Sequence, residues 1–366
     1  MPLKNQFHHQ QYYAEEPSAP WRLHKAPYPA QPGSESFTAS LSRFSAAIEP
    51  EVDAIWFVHG TFAGNDALGW FGQLERLVPA TGPVLKQFGK KLTDLLAGDS
   101  GNYSPDFMAL LDLPRPARRF VWSGENTHSG RSKAAIELLD ELLQRLPNEK
   151  RVQLWGHSHA GNVAALISNL IGSDAWVVDK FLDLAAPLFP VVDDRSGALS
   201  RVREAHRSGR LRELQMDAVN FGTPICYGWD TAGYRKLLHV INHVPQVGQS
   251  DWVCSPIEAG KSIRSGVQGD LVQVLAIAGS DFLPWLLSRS SRDCEAGLHE
   301  FLAADFSRRD WWSRAKLGMR VAAEGQSLLV EYDNFENHAR ETLGHSVYTR
   351  PQWLSFHLDL VAELYR

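Results

Sequence analysis

Long hydrophobic runs are missing from this sequence. No stretch approaches the roughly 20 apolar residues that a membrane-spanning helix needs, and the most apolar segment noted, LVQVLAIAG at residues 271 to 279, has the length of a core element. The N-terminus, MPLKNQFHHQQYYAEEPSAP, has no apolar stretch behind its lysine, so neither a Sec-type signal peptide nor a transmembrane segment is expected, and the reading is of a cytoplasmic chain. Cysteine is scarce. Cys226, Cys254 and Cys294 stand too far apart for a disulfide framework or a CxxC metal knuckle, which fits a reducing compartment. An excess of positive charge is missing too: 37 Lys and Arg face 42 Asp and Glu, a net charge of −5, with no basic block to bind a phosphate backbone. A nucleic-acid partner is therefore not expected. There is no HExxH, P-loop or Rossmann fingerprint. His157-x-His159 lacks third and fourth ligands at helical or knuckle spacing, so neither a metal nor an organic cofactor is expected.

What is present is an ordinary globular composition, 44% hydrophobic and 22% charged over 366 residues, with 12 tryptophans. Residues 1 to 50 hold Pro17, Pro20, Pro27, Pro29 and Pro32 among polar residues and read as an extended arm. From residue 51 to 366 a single α/β domain is expected, because short apolar runs alternate with amphipathic ones. The runs are AIWFVHG (54 to 60), RFVWSG (119 to 124), RVQLWG (151 to 156), DAVNFGTP (217 to 224), KLLHVINH (236 to 243) and SLLVEY (327 to 332). Between them, Ala135, Leu138, Leu142 and Leu146 recur at helical spacing, residues 162 to 171 repeat the pattern, and a last helix opens near Pro351 with a stripe of Leu354, Leu358, Val361 and Leu364. Strands alternating with helices predict right-handed crossovers and a mostly parallel sheet between helical layers, with ligands at its carboxyl edge. Inserts are expected near residues 86 to 117, 175 to 216 and 282 to 325.

Chemistry points first to Gly156-His157-Ser158-His159-Ala160-Gly161, which joins the third core strand to a helix. A serine on such a sharp turn has an exposed hydroxyl, with small residues around it because strand and helix backbones pass close together. Ala160 stands where the strict G-x-S-x-G pattern has glycine. The helix N-terminus supplies N–H groups to an oxyanion. A second turn, Val58-His59-Gly60-Thr61-Phe62, ends the first core strand, and the backbone N–H of Thr61 with that of His159 would form an oxyanion hole. A serine hydroxyl needs a base, which in this order comes late in the chain. His338 and His345 follow the last strand, and His345, behind Gly344, is preferred. For the acid, Asp183, Asp230, Asp251 and Asp270 qualify by order. Asp270 leads because Gly269-Asp270-Leu271-Val272 places an acid between a turn glycine and apolar anchors.

The ordered set His59-Gly60, Gly156 to Gly161, Phe221-Gly222-Thr223-Pro224 and Gly344-His345 resembles a serine lipase or esterase of the α/β-hydrolase superfamily, in its bacterial lipase-like branch, over about residues 51 to 366. The resemblance implies a mainly parallel sheet with a helical cap or lid, no metal, and hydrolysis of carboxylic esters through an acyl-enzyme. Many such lipases carry an aspartate where this chain has Asn242-His243-Val244-Pro245, a departure that moves the acid downstream. Residues 86 to 113 and the apolar Phe282 to Leu287 suggest a lid or acyl pocket for lipid or other apolar esters, and a transient contact with a membrane surface. Among the tryptophans, Trp56, Trp122 and Trp155 are expected in the core, and Trp70, Trp229, Trp252 and Trp285 around an apolar pocket. An acyltransferase or peptidase would share the same residues, and a non-catalytic scaffold would share the fold.

Overall fold

Strand AIWFV is apolar at every position and buried at every position, as befits a strand covered on both faces. In the computed structural model it is one of seven strands: β1 (Trp21–Lys25), β2 (Ala54–Val58), β3 (Ala117–Phe120), β4 (Arg151–His157), β5 (Gln215–Phe221), β6 (Lys236–Asn242) and β7 (Gln326–Glu331). They form a single sheet in the order β1-β7-β6-β5-β4-β2-β3, and every pairing is parallel. The structure describes residues 6–9, 16–60, 103–189, 197–254, 269–270, 272–273, 289–303, 318–332 and 344–366.

Helices cover both faces. They are α1 (Glu35–Ile48), α2 (Pro105–Ala109), α3 (His128–Arg145), α4 (Ala160–Gly172), α5 (Ala175–Ala185), α6 (Gly197–Arg207), α7 (Arg289–Ala303) and α8 (Pro351–Glu363). The period-two alternation of each strand divides the core. Trp56, Val58, Leu154 and Ala218 face a layer built from α3 to α7. Ile55, Phe57, Trp155 and Val219 face the opposite layer, where α1 and α8 lie. In that layer the Arg43 guanidinium grips Asp359 through two bonds of 2.9 Å, tying α1 to α8.

Two expectations are corrected. The extended arm expected over residues 1 to 50 is replaced, within the described residues 16 to 50, by two elements of the domain: β1 is the edge strand of the sheet, paired in parallel with β7, and α1 packs on α8. An edge strand has one neighbour and half-exposed side chains, so WRLHK carries no apolar run to mark it. The strand placed at residues 119 to 124 runs instead from Ala117 to Phe120. It stops because the Trp122 backbone N–H donates to His59 Nε2 at 3.1 Å and its indole N–H to the His59 carbonyl at 2.8 Å, bonds that replace the ladder. The insert expected at residues 175 to 216 contains α5 and α6. Among the described residues, no helix is long and apolar enough to cross a membrane.

Candidate active site

From β2 the chain steps outward to β3, then returns to lay β4 on the other side of β2 and continues through β5, β6 and β7. The carboxyl ends of β2 and β4 therefore flank a point where the winding direction reverses, and in open parallel sheets this is where a crevice forms. His59 and Gly60 leave β2 at that point, and Ser158 leaves β4. A Cβ on Gly60 would lie 2.6 Å from the Ser158 Cβ, so only glycine permits the two turns to meet.

Ser158 has φ +56°, a left-handed conformation that non-glycine residues rarely adopt. The strand and helix on either side hold it there: its N–H donates to the Phe221 carbonyl at 2.9 Å, and its own carbonyl accepts from the Thr223 hydroxyl at 2.8 Å. Helix α4 opens two residues later, with His159 at its N-cap and Asn162 bonding the Pro224 carbonyl at 2.7 Å to hold the β5 turn against it.

Asp270 and His345 arrive on the loops after β6 and β7. His345 Nδ1 donates to Asp270 Oδ2 at 2.8 Å, and both side chains are buried. This bond fixes the tautomer: Nδ1 carries the proton and Nε2 the lone pair. Nε2 has no hydrogen-bond partner among the described residues. Asp270 Oδ2 also accepts from the Tyr348 hydroxyl at 2.9 Å, and Oδ1 from the Gln273 N–H at 2.8 Å. Burial alone would raise the Asp270 carboxyl. The His345 ring, the Arg320 guanidinium and the Gln273 N–H outweigh it and hold the group below the usual carboxylate range.

Asn242, at the end of β6, bolts the two loops together. Its carbonyl accepts the Asp270 N–H at 2.8 Å and its side-chain amide donates to the Gly344 carbonyl at 2.9 Å. It occupies the place where the resemblance expects an aspartate and presents the later one instead. Gly344, at φ +83°, comes so close to the acid loop that a Cβ would sit 2.3 Å from the Gly269 carbonyl. The close approach is to the acid loop, not to the nucleophile turn. His157 links the halves: its ring lies 4.8 Å from that of His345 and its Nε2 donates to the His345 carbonyl at 3.2 Å. Burial, followed by the neighbouring His345, pulls His157 down to about 3, so it stays neutral. His59 is likewise depressed by burial.

Ser158, His159, Asp270 and His345 thus gather at one edge of the sheet. The other acids do not. Asp183 lies on α5 and pairs with Arg203 at 2.7 Å, Asp230 lies 3.5 Å from His8, and Asp251 is exposed in a turn. Thr61, His338, Trp70 and Trp285 lie outside the described residues. Trp56, Trp122 and Trp155 are buried in the core. Trp229 and Trp252 are also buried, Trp229 in the layer of α3 to α7 and Trp252 against Ile225, Ile241 and Met319. Among the described residues, no three His, Cys, Asp or Glu side chains are grouped to hold a metal. Gln273, Tyr348, Asn242 and Thr223 escape a reading of the sequence as catalytic candidates. Of these, Asn242, standing in place of an expected acid, and Thr223, within Phe221-Gly222-Thr223-Pro224, carried a signal. No family model matches the chain, and neither the curated proteins nor the solved structures contain a match to it.

Proposed function

We propose that the protein is a serine hydrolase of carboxylic esters, acting through an acyl-enzyme on Ser158 with His345 as base and Asp270 as the acid that orients it. The observation that carries this reading is the buried Asp270–His345 hydrogen bond, with its lone pair left on Nε2, at the same sheet edge as a serine held at φ +56°. In the proposed reaction Ser158 Oγ attacks the ester carbonyl while His345 Nε2 takes its proton. The negative charge on the carbonyl oxygen is met by backbone N–H groups of His159, at the start of α4, and of Thr61. His345 then protonates the departing alcohol, activates a water that releases the acid, and returns the proton to Ser158.

An apolar acyl group is the reading suggested by the apolar runs within residues 86 to 113 and at Phe282 to Leu287. Of the expected lid, residues 103 to 113 are described, and Tyr103, Phe107 and Leu111 pack into the layer of α1 and α8; residues 86 to 102 and Phe282 to Leu287 lie outside the described residues. The fold reading that accompanies this function is an α/β-hydrolase with a helical cap, supported by the parallel sheet and by the turn from β4 into α4.

The test compares hydrolysis of short- and long-chain p-nitrophenyl esters by wild type and Ser158→Ala. The expected outcome is turnover by wild type and a fall of at least about a thousandfold in the variant. Equal rates would refute the reading, and transfer to added alcohols or peptide cleavage in place of hydrolysis would redirect it to an acyltransferase or a peptidase.

A further inference from the structure

Burying a guanidinium is costly unless its charge and donors are met. Arg320 is fully buried in the segment that leads into β7, with its backbone N–H donating to the Trp252 carbonyl at 3.1 Å. Its Nη1 donates to Gln273 Oε1, while Nε and Nη2 find no acceptor among the described residues. Gln273 bonds to both halves of the site. Its backbone N–H donates to Asp270 Oδ1 at 2.8 Å and its side-chain amide to the Thr223 carbonyl at 3.1 Å. The Thr223 hydroxyl in turn donates to the Ser158 carbonyl at 2.8 Å. One residue therefore spans the acid loop, through its backbone, and the nucleophile turn, through its side chain, and the cation at the side-chain oxygen dictates which way the amide faces.

The titratable and charged groups around Asp270 come from five segments. His345 and Tyr348 lie on the loop after β7, Tyr332 at the end of β7, His157 at the end of β4, His243 just after β6 beside Arg320, and Arg320 itself before β7. Burial keeps both tyrosines protonated and both of the other histidines neutral. Of these groups Arg320 is the permanent cation.

We propose that Arg320 is a positioning residue for the reaction: through Gln273 it locks the acid loop to the nucleophile turn, and its charge sustains the Asp270 carboxylate opposite His345. This rests on the hydrolase reading above.

The experiment is the pH profile of kcat/KM on p-nitrophenyl acetate for the full chain and four variants. Removing a positive charge makes protonation of every nearby group easier. Arg320→Gln should therefore lower kcat/KM about tenfold and move the acidic limb, which belongs to the Asp270–His345 pair, up by about one pH unit. Arg320→Lys should return the limb to its place without restoring the full rate, because an ammonium lacks the planar fork. Gln273→Met should lower the rate and leave the limb unmoved. Arg207→Gln, which removes an exposed cation paired with Asp179 on α5, should change neither. An unmoved limb in Arg320→Gln, or a full rate in Gln273→Met, would overturn the proposal, and the Gln273 and Lys variants decide it if Arg320→Gln does not fold. Absence of Ser158-dependent turnover in wild type would instead overturn the hydrolase reading. In that case the low-field proton resonance of His345 Nδ1–H reads the same coupling without turnover: its pH titration should shift upward in Arg320→Gln, and an identical titration would overturn the positioning role.

Discussion

At the scale of single residues, the candidate site depends on close approaches that leave no room for a methyl group. Gly60 is the clearest case, because an added Cβ would meet the Ser158 Cβ at 2.6 Å and the His157 carbonyl at 3.1 Å, neither of which is the movable end of a side chain. Gly60→Ala must therefore displace the β2 turn or the nucleophile turn. The expected result is about a hundredfold loss of kcat/KM with an unchanged far-UV circular dichroism spectrum, since misplacing reacting groups by about an ångström costs that much. An undiminished rate would show that the two turns do not need their present spacing. The chain's order of residue types was enough to single out Ser158, Asp270 and His345 as candidates. It did not point to the groups that hold them. Tyr348 lies one helical turn beyond His345, Gln273 lies just past Asp270, and Asn242 and Arg320 come from the ends of other segments. Apart from Asn242, each is an ordinary polar residue in sequence, and all four acquire their contacts only when β6, β7 and their loops are folded side by side.

At the scale of elements, hydrophobic patterning marked β2, β4, β5, β6 and β7 to within three residues at either end, because these strands are covered on both faces and must be apolar throughout. The helices α3, α4 and α8 were equally legible from their stripes. The edges of the sheet were not. β1 has only half-buried and exposed side chains, and its flanking prolines favour an irregular reading. β3 is cut short by contacts of Trp122 with His59, a long-range pairing that no local pattern announces. The tryptophans illustrate the same limit. Trp229 and Trp252 follow strand ends and so were placed near a pocket, yet both fold inward, Trp229 edge-on to Tyr234 and Trp252 against Ile241 and Met319. Position along the chain fixes which sheet edge a residue is near, whereas the direction of its side chain depends on the turn that carries it.

At the scale of the whole molecule, the interior holds an unusual load of neutral histidines. Burial depresses His157, His243 and His357 to about 3 and His239 to about 4. Their unfolded values lie near 6.5, above the folded ones, so as pH falls the unfolded chain takes up protons first. The stability they contribute is complete above about pH 6.5 and is lost progressively as pH falls toward their folded values of about 3 to 4. By pH 5 each accounts for about 2 kcal/mol, a large share together of a typical folding free energy of about 5 to 15 kcal/mol. Scanning calorimetry should show Tm falling by about 10 °C between pH 7 and pH 5. A Tm constant over that interval would mean that these rings are not held neutral in the fold.

The proposed activity brings these scales together, since it needs one strained serine, two loops that set a base beside it, and a sheet that carries all three to one edge. The most direct measurement is reaction of the intact protein with a fluorophosphonate, followed by mass-spectrometric location of the adduct. The proposal predicts a single covalent adduct on the peptide bearing Ser158, absent from Ser158→Ala and formed at least about a thousandfold more slowly in His345→Ala. No adduct, or the same labelling in Ser158→Ala as in wild type, would contradict it.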